Sequence, residues 1–139
     1  MRRHSTNSPE ETAELATGVA RRLSPGSIVA LTGDLGAGKT AFVKAAAAAL
    51  GVTEEITSPT YTIIAEYPGL VHMDLYRLQD AEEFELLGVE EHLRGDGIAM
   101  IEWAERAKEA LPQDRTVWVE ITFEEGDRRT IEIREPENG

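Results

Sequence analysis

The sequence predicts an α/β fold in which helices lie on both faces of a mixed, partly parallel central β-sheet. A short apolar segment at residues 28–32 precedes a glycine-rich loop and an alanine-rich, helix-forming run at residues 39–50. A second apolar run, residues 98–101, ends in an acidic residue before another helical segment. Residues 62–74 and 117–134 alternate in the manner of β-hairpins. This order predicts three layers, with parallel strands carrying the loop and the acidic residue and antiparallel strands at the edges.

Length and composition predict a single domain. The 139 residues are 41% hydrophobic and contain no cysteine, which excludes a disulfide framework and thiolate chemistry. The sequence shows no secretory signal and no apolar run of membrane-spanning length, which predicts a soluble cytoplasmic protein without a membrane partner. We expect one domain over residues 1–139, with flexible tails at residues 1–7 and 135–139.

The acidic composition limits the possible partners. The formal net charge is -12 and the isoelectric point is about 4.6. Phosphates of nucleic acids favour a positive protein surface, so this charge argues against direct binding to DNA or RNA. If the function involves RNA, other subunits are expected to make the contact.

Capping residues mark the first helix. Ser8 is suited to the N-cap, Pro9 to the first helical position and Glu11 to the third. Apolar residues then recur at helical spacing as far as Leu23, which predicts one buried face. A turn at residues 24–26 leads into the first strand.

The remaining elements follow from periodicity and turn residues. The first hairpin is expected to turn at Pro68-Gly69 and the second at Glu125-Gly126-Asp127. The other predicted elements are a helix over about residues 80–87, a short helical turn at 89–93, a helix over 104–110 and strands at 117–123 and 130–134.

The glycine-rich loop fits the phosphate-binding pattern G-x-x-x-x-G-K-[ST] and lies between a strand and a helix, as this motif requires. Glycines allow backbone N–H groups to point at a phosphate, and the helix N-terminus adds a positive dipole end. The lysine reaches the β- and γ-phosphates, and the threonine hydroxyl binds Mg²⁺. The residues of the loop are Gly33, Asp34, Leu35, Gly36, Ala37, Gly38, Lys39 and Thr40.

A phosphate-binding loop needs a second acid for the metal, normally where a neighbouring apolar strand ends. Glu102 has this placement, and the alternative is an ordinary charged strand end. Asp74 ends the second strand of the first hairpin, where it is either a water-positioning or metal-water ligand, or a turn aspartate before Leu75.

For several other residues the sequence leaves two interpretations open. Thr60 and Thr62 lie where related enzymes have a segment that closes on the γ-phosphate, or else form an ordinary turn. His72 is interpreted either as a structural residue or as a residue that contacts a side chain of the site without touching the bound group itself. Trp103 either lies in the core or forms a wall of the nucleotide pocket.

Guanine-reading and transporter-type signature motifs are absent, which disfavours a GTPase and a transporter ATPase.

Several segments together resemble the bacterial TsaE (YjeE) family over roughly residues 8–134. Besides the loop, they are Ser58-Pro59-Thr60-Tyr61-Thr62, His72-Met73-Asp74-Leu75-Tyr76-Arg77-Leu78 and Ile101-Glu102-Trp103. The resemblance implies a P-loop NTPase fold and an ATPase that supports threonylcarbamoyladenosine formation at position thirty-seven of tRNA. It implies TsaB and TsaD as partners, with tRNA contacted through them, and weak hydrolysis by the isolated protein.

The resemblance also implies roles for individual residues. Lys39 and the loop amides hold the phosphates of ATP or ADP, while Thr40 and Glu102 hold Mg²⁺. Asp74 and Trp103 match essential positions, and Thr60 belongs to a switch segment. Many members carry a threonine where this chain has Ala41, so a hydroxyl contact to the α-phosphate is lost here. Candidates for contacts to the adenine are the region of residues 8–12 and a basic residue of the last hairpin, Arg128 or Arg129.

Two other functions remain open at this level. One is a small-metabolite kinase of the phosphate-loop class, and the other is a nucleotide-gated binding module that does not hydrolyse ATP. The arginines Arg77, Arg94 and Arg106 do not cluster in the sequence, which favours weak hydrolysis in the absence of a partner.

Overall fold

The computed structural model describes residues 2–33, 38–53, 64–76 and 97–136. Within these ranges the chain forms a seven-stranded sheet, two α-helices and one 3₁₀ segment. In chain order the elements are β1 (Arg2–Thr6), α1 (Pro9–Arg21), β2 (Ile28–Gly33), α2 (Lys39–Ala49), β3 (Ile64–Tyr67), β4 (Leu70–Asp74), β5 (Ile98–Glu102), the 3₁₀ segment (Ala104–Ala110), β6 (Thr116–Glu125) and β7 (Arg128–Arg134).

The sheet has a parallel centre and antiparallel edges, as the sequence predicted. Its strand order is β1-β7-β6-β2-β5-β4-β3. Strands β6, β2, β5 and β4 pair in parallel, whereas β3 and β7 pair antiparallel with their hairpin partners. Both predicted hairpins are therefore confirmed within the described residues. Because four neighbouring strands run the same way, their carboxyl ends lie at one edge of the sheet.

Helix α1 begins where the capping residues indicate. The Ser8 hydroxyl accepts a hydrogen bond from the Glu11 amide at 3.1 Å. The Glu11 carboxylate reaches back one residue further than expected, since it accepts from the Asn7 amide at 3.1 Å. One orphan N–H group of the first helical turn, that of Glu11, is thereby satisfied, as is the N–H group of Asn7 just before the helix.

Two apolar cores lie on opposite faces of the sheet, which confirms the layered α/β architecture. On one face α1 and α2 cover Val29 and Leu31 of β2. Small side chains such as Ala46 let α2 lie close to its neighbours. On the other face, the 3₁₀ segment covers Ala30 and its neighbours on β5.

Residues 2–6 correct the prediction of a flexible tail, because they form β1 and pair antiparallel with β7. Ion pairs support the pairing, with Arg3 and Glu132 2.6 Å apart and Arg2 and Glu135 2.6 Å apart. Thr6 and Thr12 also share a buried hydrogen bond of 2.7 Å. The strand was missed because its polar residues show no apolar alternation.

The predicted helix over residues 104–110 is confirmed, and the structure specifies its type. It is a 3₁₀ helix with a non-helical residue, Ala107, at φ -131° and ψ 24°. The predicted helical segments at residues 80–87 and 89–93 lie outside the described residues. No helix in the described ranges is long and apolar enough to cross a membrane.

Gly33 lets β2 leave the sheet close beside β6. Its φ is +137°, and a Cβ at this position would overlap the carbonyl oxygen of Ile121. Glycine is required here for space as well as for backbone conformation. The first glycine of the loop motif therefore has a steric role in the fold.

We expect Gly33→Ala to destabilise the protein by at least about 1–3 kcal/mol, the usual cost of a strained backbone position. The overlap with Ile121 adds to this cost. Gly18→Ala is the matched control, because Gly18 is exposed on α1 with no atom within 4 Å of an added Cβ. It should stabilise by about 0.5–1 kcal/mol through helix propensity. Urea unfolding without nucleotide measures both changes, and equal effects of the two variants would contradict the steric role of Gly33.

Candidate nucleotide and metal site

Strand register brings the candidate acids together at the carboxyl edge of the sheet. Leu31 of β2 is level with Glu102 of β5, and Glu102 is level with Asp74 of β4. Helix α2 begins six residues beyond the end of β2, at Lys39. Two motifs that are far apart in the sequence therefore meet here.

Glu102 is buried, with 3% of its surface exposed, and is held from two sides. The hydroxyl of Thr40, at the start of α2, lies 2.9 Å and 3.1 Å from the two carboxylate oxygens and donates to them. Nε2 of His72 lies 2.6 Å from Oε2. The structure thus joins the two residues that the sequence assigned to the metal.

This donor set fits Mg²⁺. A hydroxyl has one proton and two lone pairs, so a proton directed at Glu102 leaves the oxygen of Thr40 able to bind a cation. Magnesium prefers oxygen ligands and keeps several waters, using one or two carboxylates together with substrate phosphates. Accordingly, the described residues contain no group of three metal-ligating His, Cys, Asp or Glu side chains.

Lys39 lies at the same edge, buried at 4% exposure. Its ammonium donates to the Gly33 carbonyl at 2.6 Å and lies 3.9 Å above the centre of the Trp103 ring. Gly38 precedes it in the left-handed conformation and has no side chain to cap α2. The loop residues between these two glycines, Asp34, Leu35, Gly36 and Ala37, lie outside the described residues, as does Thr60.

Trp103 joins the lysine to an aromatic cluster. It has φ 58°, the only positive φ among the described non-glycine residues. Its ring centre is 5.0 Å from that of Tyr76, and the Arg106 guanidinium lies 5.8 Å from it. Trp103 also packs against the second apolar core, which supports its predicted role in the core. Its role as a wall of the nucleotide pocket stays a prediction. Sequence reasoning did not place Arg106 here, although its spacing of three residues from Trp103 was an available signal.

Asp74 is half-buried beside Glu102. One of its oxygens accepts from the Tyr76 amide at 3.0 Å, which is the turn role considered from the sequence. Burial, and then the negative charge of Glu102, raise the pKa of this carboxyl above its ordinary value of 3.8. The Tyr76 amide and the positive charge of Lys39 act in the opposite direction but do not cancel the rise.

A small cavity with a volume of about 110 Å³ lies beside Gly38. It brings together the two regions that the sequence nominated for the adenine, the start of α1 and the last hairpin. Its lining residues are Pro9, Thr12, Ala13, Gly38, Ala41, Asp127 and Arg129. The Arg129 guanidinium lies 4.7 Å from the Phe123 ring centre and donates to the Gly126 carbonyl at 2.9 Å. Of the two candidate arginines, Arg129 lines the cavity.

A larger cavity of about 450 Å³ lies against the opposite face of the sheet. Gly33 and Trp103 border it together with Trp118 and three glutamates. It is larger than the cavity near Gly38, but its described lining contains no residue from the start of α2, whereas Gly38 and Ala41 line the smaller cavity. The start of α2 therefore favours the smaller cavity as the candidate for the nucleotide.

The raised pKa of Asp74 makes a pH-dependent contribution to stability. The folded protein keeps a proton on this group at pH values where the unfolded chain has lost it, so this contribution falls as the pH rises above 3.8 and through the raised value. Asp74→Asn removes this loss and keeps an oxygen for the Tyr76 amide. We expect the variant to melt at a higher temperature than the parent at neutral pH, with a smaller difference under acidic conditions.

Melting curves across this pH range test the expectation for Asp74. Asp114→Asn, a change of an exposed carboxylate, is the control. A difference between parent and Asp74→Asn that does not change with pH would contradict it.

Comparison with known protein families gives a match over most of the chain. Residues 6–131 match the model of the family described as threonylcarbamoyl adenosine biosynthesis protein TsaE. The tRNA threonylcarbamoyladenosine biosynthesis protein TsaE of Bacillus subtilis is 47% identical over 114 residues, covering 79% of this chain and 71% of the relative. The protein of the same name from Treponema pallidum is 49% identical over 111 residues, covering 78% and 82%.

Comparison of structures gives the same result. A crystal structure of Bacillus subtilis YdiB matches with a TM-score of 0.80 and 38% identity, covering 99% of this chain and 86% of that one. Since the family model matches most of the sequence and the relatives match over most of their own length, this chain belongs to the TsaE family of tRNA threonylcarbamoyladenosine biosynthesis.

Proposed function

We propose that this chain is a small Mg²⁺-dependent ATPase that supports threonylcarbamoyladenosine modification of tRNA together with TsaB and TsaD. The observation that carries the proposal is the contact between Thr40 and Glu102 beside Lys39, at the carboxyl edge of a parallel sheet. In phosphate-loop enzymes, a hydroxyl and a strand-end acid in these positions hold the metal. Membership of the TsaE family supplies the pathway.

ATP is placed with its phosphates at the start of α2. Lys39 binds the phosphate oxygens, and the helix N-terminus stabilises their negative charge. The adenine end is assigned to the cavity lined by Ala41 and Arg129. The methyl group of Ala41 supplies surface there but no hydroxyl. The cytoplasm is the expected compartment for a protein of tRNA modification.

Thr40 and Glu102 would hold Mg²⁺ next to the phosphates, where the metal neutralises charge that develops during hydrolysis. Asp74 lies one strand away and has one oxygen engaged by the Tyr76 amide. We assign the other oxygen of Asp74 to the attacking water. Burial favours a carboxyl that can take up a proton at this position, since it raises the pKa of Asp74.

The charge of the chain supports contact with tRNA through partners. With a net charge of -12 the surface repels a polyanion, so TsaB and TsaD are assigned the contact with tRNA. Among the described arginines, Arg106 packs against the rings of Trp103 and Tyr76, and Arg129 lines the cavity near Gly38. Activation by the partners would then supply an arginine or reorder the segment that contains Thr60.

Glu102→Gln should remove most of the Mg²⁺ dependence of ATP hydrolysis, because it deletes the charge and keeps the volume. We expect the turnover rate to fall on the order of 100-fold or more, as for the loss of other groups that stabilise transition-state charge. Binding of nucleotide in EDTA, measured by calorimetry, should change little. Lys39→Ala should instead weaken binding in EDTA.

The matched control for Glu102→Gln is Glu109→Gln, at an exposed position of the 3₁₀ segment. It should leave both measurements unchanged. Normal Mg²⁺-dependent turnover by Glu102→Gln would show that the metal assignment is wrong.

ATP hydrolysis should rise strongly when the TsaB–TsaD complex is added to the protein. An activating arginine supplied in trans is worth about 10³–10⁵ in rate in comparable systems. Measuring phosphate release with and without the complex tests this, with Lys39→Ala as the background control. Equal rates would refute activation by partners.

Two further measurements, of phosphate transfer and of complex formation, separate the two other functions. Phosphate transfer to a nucleoside, sugar or small acid would identify a kinase. ATP-dependent complex formation without phosphate release would identify a binding module.

A further inference from the structure

We propose that His72 is a positioning residue that holds Glu102 in the orientation needed for Mg²⁺, with its proton fixed on Nε2. The inference rests on the proposed metal role of Thr40 and Glu102. It adds a residue of β4 to the candidate metal-binding pair formed by Thr40 of α2 and Glu102 of β5.

Register places the imidazole behind the carboxylate. His72 is level with Met100 of β5, two residues before the level at which Asp74 and Glu102 face each other. Side chains two residues apart share a face of a strand, so His72, Asp74 and Glu102 lie on the same face. The ring of His72 is fully buried, and its Nε2 lies 2.6 Å from Oε2 of Glu102.

The surroundings of the ring fix the position of its proton. Nε2 faces a carboxylate oxygen, which can only accept, so Nε2 carries the hydrogen. Nδ1 is buried and has no hydrogen-bond partner among the described residues. A proton on Nδ1 would be a buried donor without an acceptor, which is costly, whereas a lone pair there costs less. The structure therefore favours the Nε2–H form.

The two donors on Glu102 differ in what they can do when a cation binds. The oxygen of Thr40 is assigned as a ligand of the metal, so the surroundings of Thr40 change when a cation binds. His72 lies in the protein interior, away from solvent, and can keep its bond to Oε2 throughout. Partners of this kind orient metal ligands, and their loss typically weakens metal binding about 10–100-fold.

Two substitutions separate the hydrogen bond from the packing of the ring. His72→Leu fills similar space without a donor, while His72→Gln offers an amide N–H at a similar distance from the backbone. Met100→Leu is the control, since it changes the buried neighbour in register with His72 and conserves volume. None of these variants alters the groups assigned to the phosphates.

Calorimetry of ADP or ATP binding, in EDTA and in a magnesium series, provides the measurement. For His72→Leu we expect unchanged binding in EDTA and a Mg²⁺ concentration for half-maximal effect raised about 10–100-fold. His72→Gln should recover much of the loss, and Met100→Leu should match the parent. If the parent responds to Mg²⁺ and His72→Leu responds equally, the positioning role is overturned.

A parent protein with no response to Mg²⁺ would overturn the proposed metal role and this inference with it. Nitrogen-15 NMR of the metal-free parent is independent of magnesium and of folding of the variants. It should show Nε2 of His72 protonated and Nδ1 unprotonated. A proton on Nδ1 instead would overturn the inference while leaving the proposed function untouched.

Discussion

The parallel pairing of β4, β5 and β2 is the constraint on which the site depends. It sets Asp74, Glu102 and the end of β2 side by side, and it directs β2 into the turn that leads to α2. The carboxylate of Glu102 then occupies a position between a helix and a strand that no local motif could create. Changing the register by one residue would turn Glu102 to the opposite face of the sheet, away from Thr40.

The same pairing also places two acids next to each other. Glu102 is satisfied by hydrogen bonds from two sides, whereas Asp74 has one backbone donor and is less buried. The two carboxyls therefore experience different environments, and burial raises the pKa of Asp74 above its ordinary value. Environments that distinguish two neighbouring acids are typical of sites where one binds a cation and the other handles a proton. In an acidic chain, this distinction has to be produced by local contacts.

The fold class and the candidate metal ligands, Thr40 and Glu102, could be predicted because their signals are local. A strand, a glycine loop and a helix occur in one short stretch, and Glu102 ends an uninterrupted apolar run. The strand β1 could not be predicted, because it depends on pairing with β7, far away in the sequence. The contact between His72 and Glu102 depends on register between β4 and β5, which periodicity does not specify. The left-handed backbone of Trp103 likewise depends on its packing among Lys39, Tyr76 and the second core.

The pairing of β1 with β7 also affects how the chain acquires its fold during synthesis. Arg2 lies opposite Ile133, so β1 is made well before the strand with which it pairs. Such pairings close long loops and form slowly. β1 also lies at an edge of the sheet and has charged residues on it, which discourages pairing with other chains during that delay. We therefore expect the arginines of β1 to oppose pairing with other chains until β7 is available.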